Sequence, residues 1–270
     1  KFYIFNIIMD KISCLWIQSE LDDMSIECIN TWLYLDYYVD LYTYSIDNFK
    51  NPWIEHPMFQ EKVCVMDARE IYDVDLSINK RYEFVADRFR FEMFEQNQNV
   101  GTRIIWMDTD QMLLRTIKPI CNFVSSQFTL QKGAFRHTKL KVIPNIGVMC
   151  FDGSESVDWT KIINKGEKTK AKEFQSGYLK YYEKEMLKYP DLISDPETYM
   201  PVHWAWAKDI YTRGTLDPTI QKYGLFQKSY TDIINDDQII GVNMWRQIYK
   251  KNDWTIKSGS IYNKLFNYQN

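Results

Sequence analysis

The chain has 270 residues, 45% of them hydrophobic, and a formal net charge of −3. That length suits one large α/β domain or two small ones, and the apolar fraction supplies a sizeable core. The absence of an overall basic footprint argues against a dedicated nucleic-acid binder. The five cysteines, Cys14, Cys28, Cys64, Cys121 and Cys150, are widely spaced and form no Cys-x-x-Cys. This argues against a zinc site or redox pair and reads as free thiols in a reducing compartment. No apolar run reaches about 18 residues, so no spanning helix is expected. The opening run to Met9 is too short for a secretory signal and is interrupted by Asp10, so it reads as a strand or terminal packing. A cytoplasmic location, with at most peripheral membrane contact, is the expectation. Aromatics make up 16% of the chain; they suit ring-lined binding surfaces, although low-GC codon bias would enrich tyrosine equally well.

Taken in order, Ile12–Ile17 is a strand candidate and Gln18–Asp23 a turn. A helix is predicted from about Met24 to Leu35, with Ile26, Ile29 and Leu33 on one side and Cys28 and Trp32 beside them. Asp40–Tyr44 and Val63–Met66 read as strands, with a loop marked by Asn51-Pro52 and His56-Pro57 between them. This β-α-β opening favours a parallel sheet with a nucleotide site at the strand ends. A second helix is predicted from about Tyr82 to Gln96, with Val85, Phe89 and Met93 as its buried stripe. Asp87 and Arg90 are three apart on another face and so neighbours. Ile104–Met107 follows as a strand. Farther on, Phe128–Leu130 and Ile146–Phe151 look like strands. Pro144-Asn145 and Asp152-Gly153 look like turns, and about Val157–Asn164 and Ala171–Leu187 look like helices. Asp191–Pro201 is loop-like, and the last apolar segment is Ile239–Trp245. No repeat, low-complexity linker or clear domain boundary interrupts the chain.

The stretch Ile104-Ile105-Trp106-Met107-Asp108-Thr109-Asp110 organises this reading. Four large apolar residues in a row suit a strand buried on both faces. Ligands bind beyond the carboxyl ends of strands in open α/β sheets, which puts Asp108 and Asp110 in the crevice. Carboxylates so close repel each other unless a cation lies between them. Hard oxygen ligands suit Mg²⁺ or Mn²⁺, and such an ion suits a diphosphate. A second Asp-x-Asp, Asp73-Val74-Asp75, comes after Glu70-Ile71-Tyr72, which is not a buried-strand pattern.

Leu15-Trp16-Ile17 at the end of the first strand, Ala86-Asp87-Arg88-Phe89-Arg90 on a helix and Trp106-Met107-Asp108-Thr109-Asp110 after a strand together resemble a known family. The resemblance is to GT-A glycosyltransferases with an Asp-x-Asp sugar-binding region. These include capsular and lipopolysaccharide sugar transferases, Golgi mannosyl- and galactosyltransferases of that type, and the large clostridial glucosylating toxins. It spans about Ser13 to Lys118, with a weaker echo at Gly241-Val242-Asn243-Met244-Trp245. It implies an α/β fold with a Rossmann-like, mostly parallel central sheet flanked by helices. A single domain, 1–270, would have a nucleotide-sugar half to about 120 and a helical or mixed acceptor-side half from about 121. It also implies retaining sugar transfer from a nucleotide-sugar, a UDP-sugar being favoured over a GDP-sugar, to a glycan, lipid-linked glycan or protein hydroxyl, with Mn²⁺ or Mg²⁺.

The resemblance implies roles residue by residue. Trp16 would stack on the nucleotide base; alternatively it is plain core. Asp87 and Arg90 would contact the donor sugar and diphosphate region; alternatively they are an ordinary intrahelical ion pair. Asp108 would bind the ribose or donor sugar and help place the metal, and Asp110 would ligate it. Relatives often carry a His where this chain has Asn243, whose carbonyl oxygen still suits a hard cation. Relatives usually have Gly-Gly before the Asp-x-Asp strand, whereas this chain has Asn99-Val100-Gly101-Thr102-Arg103.

On the acceptor side, Tyr199, Trp204 or Trp206 suits the lining of an acceptor groove, where rings stack on sugars, and His203 is a general base or a scaffold residue. Asp236 and Asp237 are nucleophile candidates only by elimination. Lys161, Lys165, Lys168, Lys170 and Lys172, near Tyr178, Tyr181 and Tyr182, suit an anionic membrane or, more simply, a solvated helix face. The rivals are a metal-dependent phosphodiesterase or nuclease and a non-catalytic glycan-binding module. The first usually needs more carboxylates or histidines than three scattered His supply.

Overall fold

The computed structural model describes residues 11–77, 82–98, 103–117, 126–131, 140–151, 157–168, 177–188, 240–244, 258–260 and 263–264. The expectations for Cys121, Lys170, Lys172, Tyr199, His203, Trp204, Trp206, Asp236, Asp237, the opening run and the Asn99–Thr102 link lie outside the described residues.

The order opens with strand β1 (Lys11–Trp16), helix α1 (Asp23–Tyr34), β2 (Tyr38–Thr43), β3 (Val63–Asp67), helix α2 (Tyr82–Gln96) and β4 (Ile104–Met107). It continues with β5 (Gln111–Leu113), β6 (Ser126–Gln131), β7 (Leu140–Asn145), β8 (Val148–Phe151), α3 (Trp159–Lys168), α4 (Gly177–Met186) and β9 (Gly241–Asn243). The central sheet has the order β3-β2-β1-β4-β8. β1 pairs in parallel with β2 and β4, and β2 with β3, whereas β8 runs antiparallel to β4. This is the mostly parallel α/β architecture expected, with helices supplying the crossovers.

The pattern of β4 reflects its place. Ile105 and Met107 pack on one face with Ile12, Cys14 and the α1 residues Ile29, Trp32 and Leu33. Ile104 and Trp106 pack on the other with Phe89 and Met93 of α2 and Trp159 and Tyr182 beyond. A strand covered on both faces must be apolar at every position. Helix α1 starts where Asp22 accepts the Ser25 N–H at 2.8 Å, satisfying an N-terminal donor. It stops before Asp36, which adopts φ 67° and pairs with Lys62 at 2.6 Å.

The structure departs from the sequence expectations in the middle of the chain. Pro144-Asn145, read as a turn, ends β7, which pairs antiparallel with β6. Both strands are edges of a two-stranded ribbon, where the missing proline N–H is tolerated. The bend comes at Ile146-Gly147, so β8 starts at Val148 rather than Ile146. The short strands β5 and β9 form a second two-stranded sheet. The free thiols Cys14, Cys28 and Cys150 are buried and Cys64 is exposed. Among the described residues no helix is long and apolar enough to cross a membrane.

Helices α3 and α4 close over α2 through stacked rings. Trp159 stacks with Phe94 and Phe91 at centroid distances of 5.1 and 6.0 Å. Gly166 of α3 lets the buried Tyr178 ring lie against its backbone, because an added Cβ would fall 2.0 Å from the Tyr178 Cδ1. Gly166→Ala is therefore expected to lower unfolding stability by about 1–3 kcal/mol despite the better helix propensity of alanine. Urea melts of the two proteins check this.

Candidate active site

The site is built at the carboxyl end of β4. Asp108 leaves the strand, and its backbone N–H donates to Gly147 O at 2.7 Å. Its Oδ1 accepts the Trp106 indole N–H at 2.9 Å and lies 3.2 Å from the Arg90 guanidinium. Arg90 comes from α2, as does Asp87, whose Oδ1 is 3.4 Å from the same nitrogen. A second Arg90 nitrogen donates to Ile146 O at 2.6 Å, and Nε donates to Ala86 O at 3.4 Å. The Arg90 Cζ also stands 5.0 Å from the centre of the Trp106 ring. Arg90 is 4% exposed and Asp87 7%. All three guanidinium nitrogens thus face protein partners. Asp87 and Arg90 do form an intrahelical pair, and Arg90 also reaches across to Asp108.

About a third of the Asp108 side chain, 32%, is exposed. Its carboxyl is pushed up to about 6. Burial is the main cause, and repulsion from Asp110 and Asp87 adds to it. Arg90 and the Trp106 N–H pull the other way without cancelling the rise. Ionised Asp108 is thus opposed by burial and by the neighbouring carboxylates together. Added positive charge would relieve this, so the donor set fits a divalent cation with hard oxygen ligands.

Asp110 is held by the next residue and by a distant strand. Its side chain accepts from Gln111 Nε2 at 2.8 Å, and its carbonyl accepts the Met244 N–H at 2.7 Å. In the β5–β9 ladder Gln111 is in register with Asn243. The C-terminal echo is thereby brought beside Asp110 by backbone pairing. Among the described residues no group of three or more His, Cys, Asp and Glu is placed to hold a metal ion, so a cation at Asp108 and Asp110 would need further oxygens.

Helix α1 braces this loop from behind. The Trp32 indole donates to Gln111 O at 2.8 Å, and Thr31 Oγ1 accepts the Leu113 N–H at 3.0 Å. Tyr37 OH lies 2.7 Å from Thr116 Oγ1 and accepts the Ile117 N–H at 2.9 Å. Sequence reasoning missed these supports. Trp32 and Thr31 look like ordinary helix residues, and the carbonyls of Ile146 and Gly147 have no side-chain signature.

The remaining expected residues have other partners. Trp16 ends β1, is 8% exposed, belongs to the core and donates its indole N–H to Glu20 O at 2.8 Å. The other Asp-x-Asp is exposed at both carboxylates, and Asp75 caps the Ser77 N–H at 2.8 Å. His56 stacks on Phe59 at 4.3 Å. Lys161 lies 3.6 Å from Glu185, and Lys165 lies over the Tyr181 ring at 5.7 Å.

No family model and no curated protein matches the sequence. Solved structures do match the fold. Mouse xyloside xylosyltransferase 1 in its apo form superposes with a TM-score of 0.53 at 12% identity, over 87% of this chain and 97% of that one. The bifunctional glycosyltransferase WbbM in its apo form gives 0.51 at 9% identity, over 97% of this chain and 49% of that one. The apo glycosyltransferase GlyE from Streptococcus pneumoniae TIGR4 gives 0.50 at 8% identity, over 96% of this chain and 62% of that one. The chain therefore has the GT-A glycosyltransferase fold, the α/β architecture expected from the sequence.

Removing Arg90 leaves two carboxylates facing each other in a closed setting. Arg90→Met is expected to cost about 3 kcal/mol of unfolding stability, more than the loss of a surface ion pair. Adding Asp87→Leu to that variant is expected to recover part of the loss. Denaturant unfolding of the single and double variants measures both effects.

Proposed function

We propose that the protein is a glycosyltransferase that moves a sugar from a nucleotide-sugar to an acceptor hydroxyl. The observation that carries this reading is the disposition of charge at the end of β4. Asp108 and Asp110 lie at the crevice end of the central strand of a glycosyltransferase fold, while the neighbouring cation, Arg90, is turned inward. The carboxylates are the ligands proposed for Mn²⁺ or Mg²⁺, with Asn243 as a third, supported by the pairing of its strand beside Asp110. A cation held there would offset the charge of a departing diphosphate.

The chain's own residues have distinct parts in the proposal. Asp110 and Asp108 supply hard anionic oxygens. Asp87 accepts from a hydroxyl of the donor sugar. Arg90 fixes both α2 and β4 carboxylates and adds positive charge beneath the donor. A place for Trp16 beside the base rests on the sequence resemblance and on its position at the end of β1, next to β4. A UDP-sugar is the favoured donor and retention of configuration the favoured outcome; both rest on the sequence resemblance. The acceptor is a glycan, lipid-linked glycan or protein hydroxyl.

Hydrolysis of a panel of nucleotide-sugars, with and without Mn²⁺, tests the reading. Metal-dependent release of one nucleotide is expected, reduced at least about 10²-fold in Asp110→Ala. Asp73→Ala, in the exposed second triplet, is expected to retain the wild-type rate. A protein that binds no nucleotide-sugar with Mn²⁺ present would overturn the proposal.

A further inference from the structure

We infer that Trp106 is a positioning residue that commits one oxygen of Asp108 to the protein and presents the other to the ligand. This rests on the glycosyltransferase reading and adds a residue that the sequence resemblance leaves as strand core. Trp106 is 1% exposed and lies on β4, two residues before Asp108. Side chains two apart on a strand share a face, and the Asp108 N–H donates to Gly147 O, one step beyond the Met107–Val148 pair, so the β4–β8 register carries on to Asp108. That shared face lets the indole N–H reach Asp108 Oδ1 at 2.9 Å.

One donor and one cation converge on this atom. The Arg90 guanidinium stands 3.2 Å from Oδ1 as an ion pair, and its Cζ lies 5.0 Å from the centre of the indole ring that supplies the donor. Arg90 is fixed in turn by Ile146 O and Asp87. Asp108 Oδ2 takes no hydrogen bond from the described residues. A carboxylate gripped at one oxygen has lost its rotation about the Cβ–Cγ bond. It therefore offers a single, oriented oxygen rather than a bidentate pair. Among the described residues Trp106 is the neutral donor in this arrangement, so it orients Asp108 without adding charge that would repel a cation.

A double-mutant cycle tests this with Mn²⁺ as the probe, titrated by electron paramagnetic resonance in the presence of UDP and, separately, GDP. Trp106→Phe keeps a ring beneath Arg90 and deletes the N–H. It is expected to weaken Mn²⁺ binding about tenfold, the scale of a hydrogen bond to a charged group. In an Asp108→Ala background the same substitution is expected to have no further effect, because the acceptor through which it acts is gone. Equal weakening in both backgrounds, or none in either, would overturn the role of Trp106 while leaving the metal site standing. Wild-type protein that binds no Mn²⁺ with either nucleotide would overturn the metal site and this inference with it. Indole N–H resonances give a readout that needs no change at Trp106. Its signal is expected to move upfield in Asp108→Ala, and an unmoved signal would overturn the contact.

Discussion

The arrangement at the end of β4 depends on one buried guanidinium. Arg90 joins three parts of the chain that sequence keeps apart: its own helix through Asp87, the Asp-x-Asp strand through Asp108, and the bend before β8 through Ile146 O. A buried cation is costly unless its hydrogen-bonding capacity is met, and here each nitrogen has a partner. The charge is what permits two carboxylates to approach each other in a setting where burial already opposes their ionisation. Position and electrostatics are thus supplied by the same side chain. Helix α2 need not present Arg90 to solvent to matter for the site.

Around that ion the loop carrying Asp110 is held from two further directions. Helix α1 and the residue before β2 reach the loop with neutral donors and acceptors, Trp32, Thr31 and Tyr37, which satisfy backbone groups of β5 and the segment after it. Strand β9 reaches it through ladder hydrogen bonds. Neither contributes charge. Among the described residues Arg90 is the cation paired with Asp108. A rigid frame with concentrated charge suits electrostatic stabilisation of a departing anion, because the frame does not have to reorganise as charge moves.

Much of the fold was legible because its signals are local. The apolar run Ile104–Met107 announces burial on both faces, and the stripe Val85, Phe89 and Met93 announces the inward side of α2. Within the site, the context of Asp108 and Asp110 separated them from Asp73 and Asp75, and the structure keeps the latter pair on the surface. The inward-turned Arg90 could not be read, since spacing places it beside Asp87 but says nothing of what crosses above. Trp16 shows the opposite difficulty. A ring at a strand end reads equally as stacking surface or core, and here it packs in the core with its N–H tied to Glu20 O. Pro144 misled because a proline signals a turn unless its strand lies at an edge, and edges are a property of the assembled sheet.

The pairing of β5 with β9 has a consequence for the order in which the molecule comes together. Asp110 lies in the first half of the chain, yet the amide that holds its carbonyl belongs to Met244, near the other end. A contact of such wide sequence separation must close a long loop before it returns any stabilisation. As the chain emerges from the ribosome, β1 to β4 are free to assemble early, but the Asp110 loop lacks its outer partner until Met244 has been made. The half that holds β1 to β4 is thus a framework that the distal segment finishes, and the geometry around Asp110 belongs to both parts of the chain rather than to the half that carries the motif.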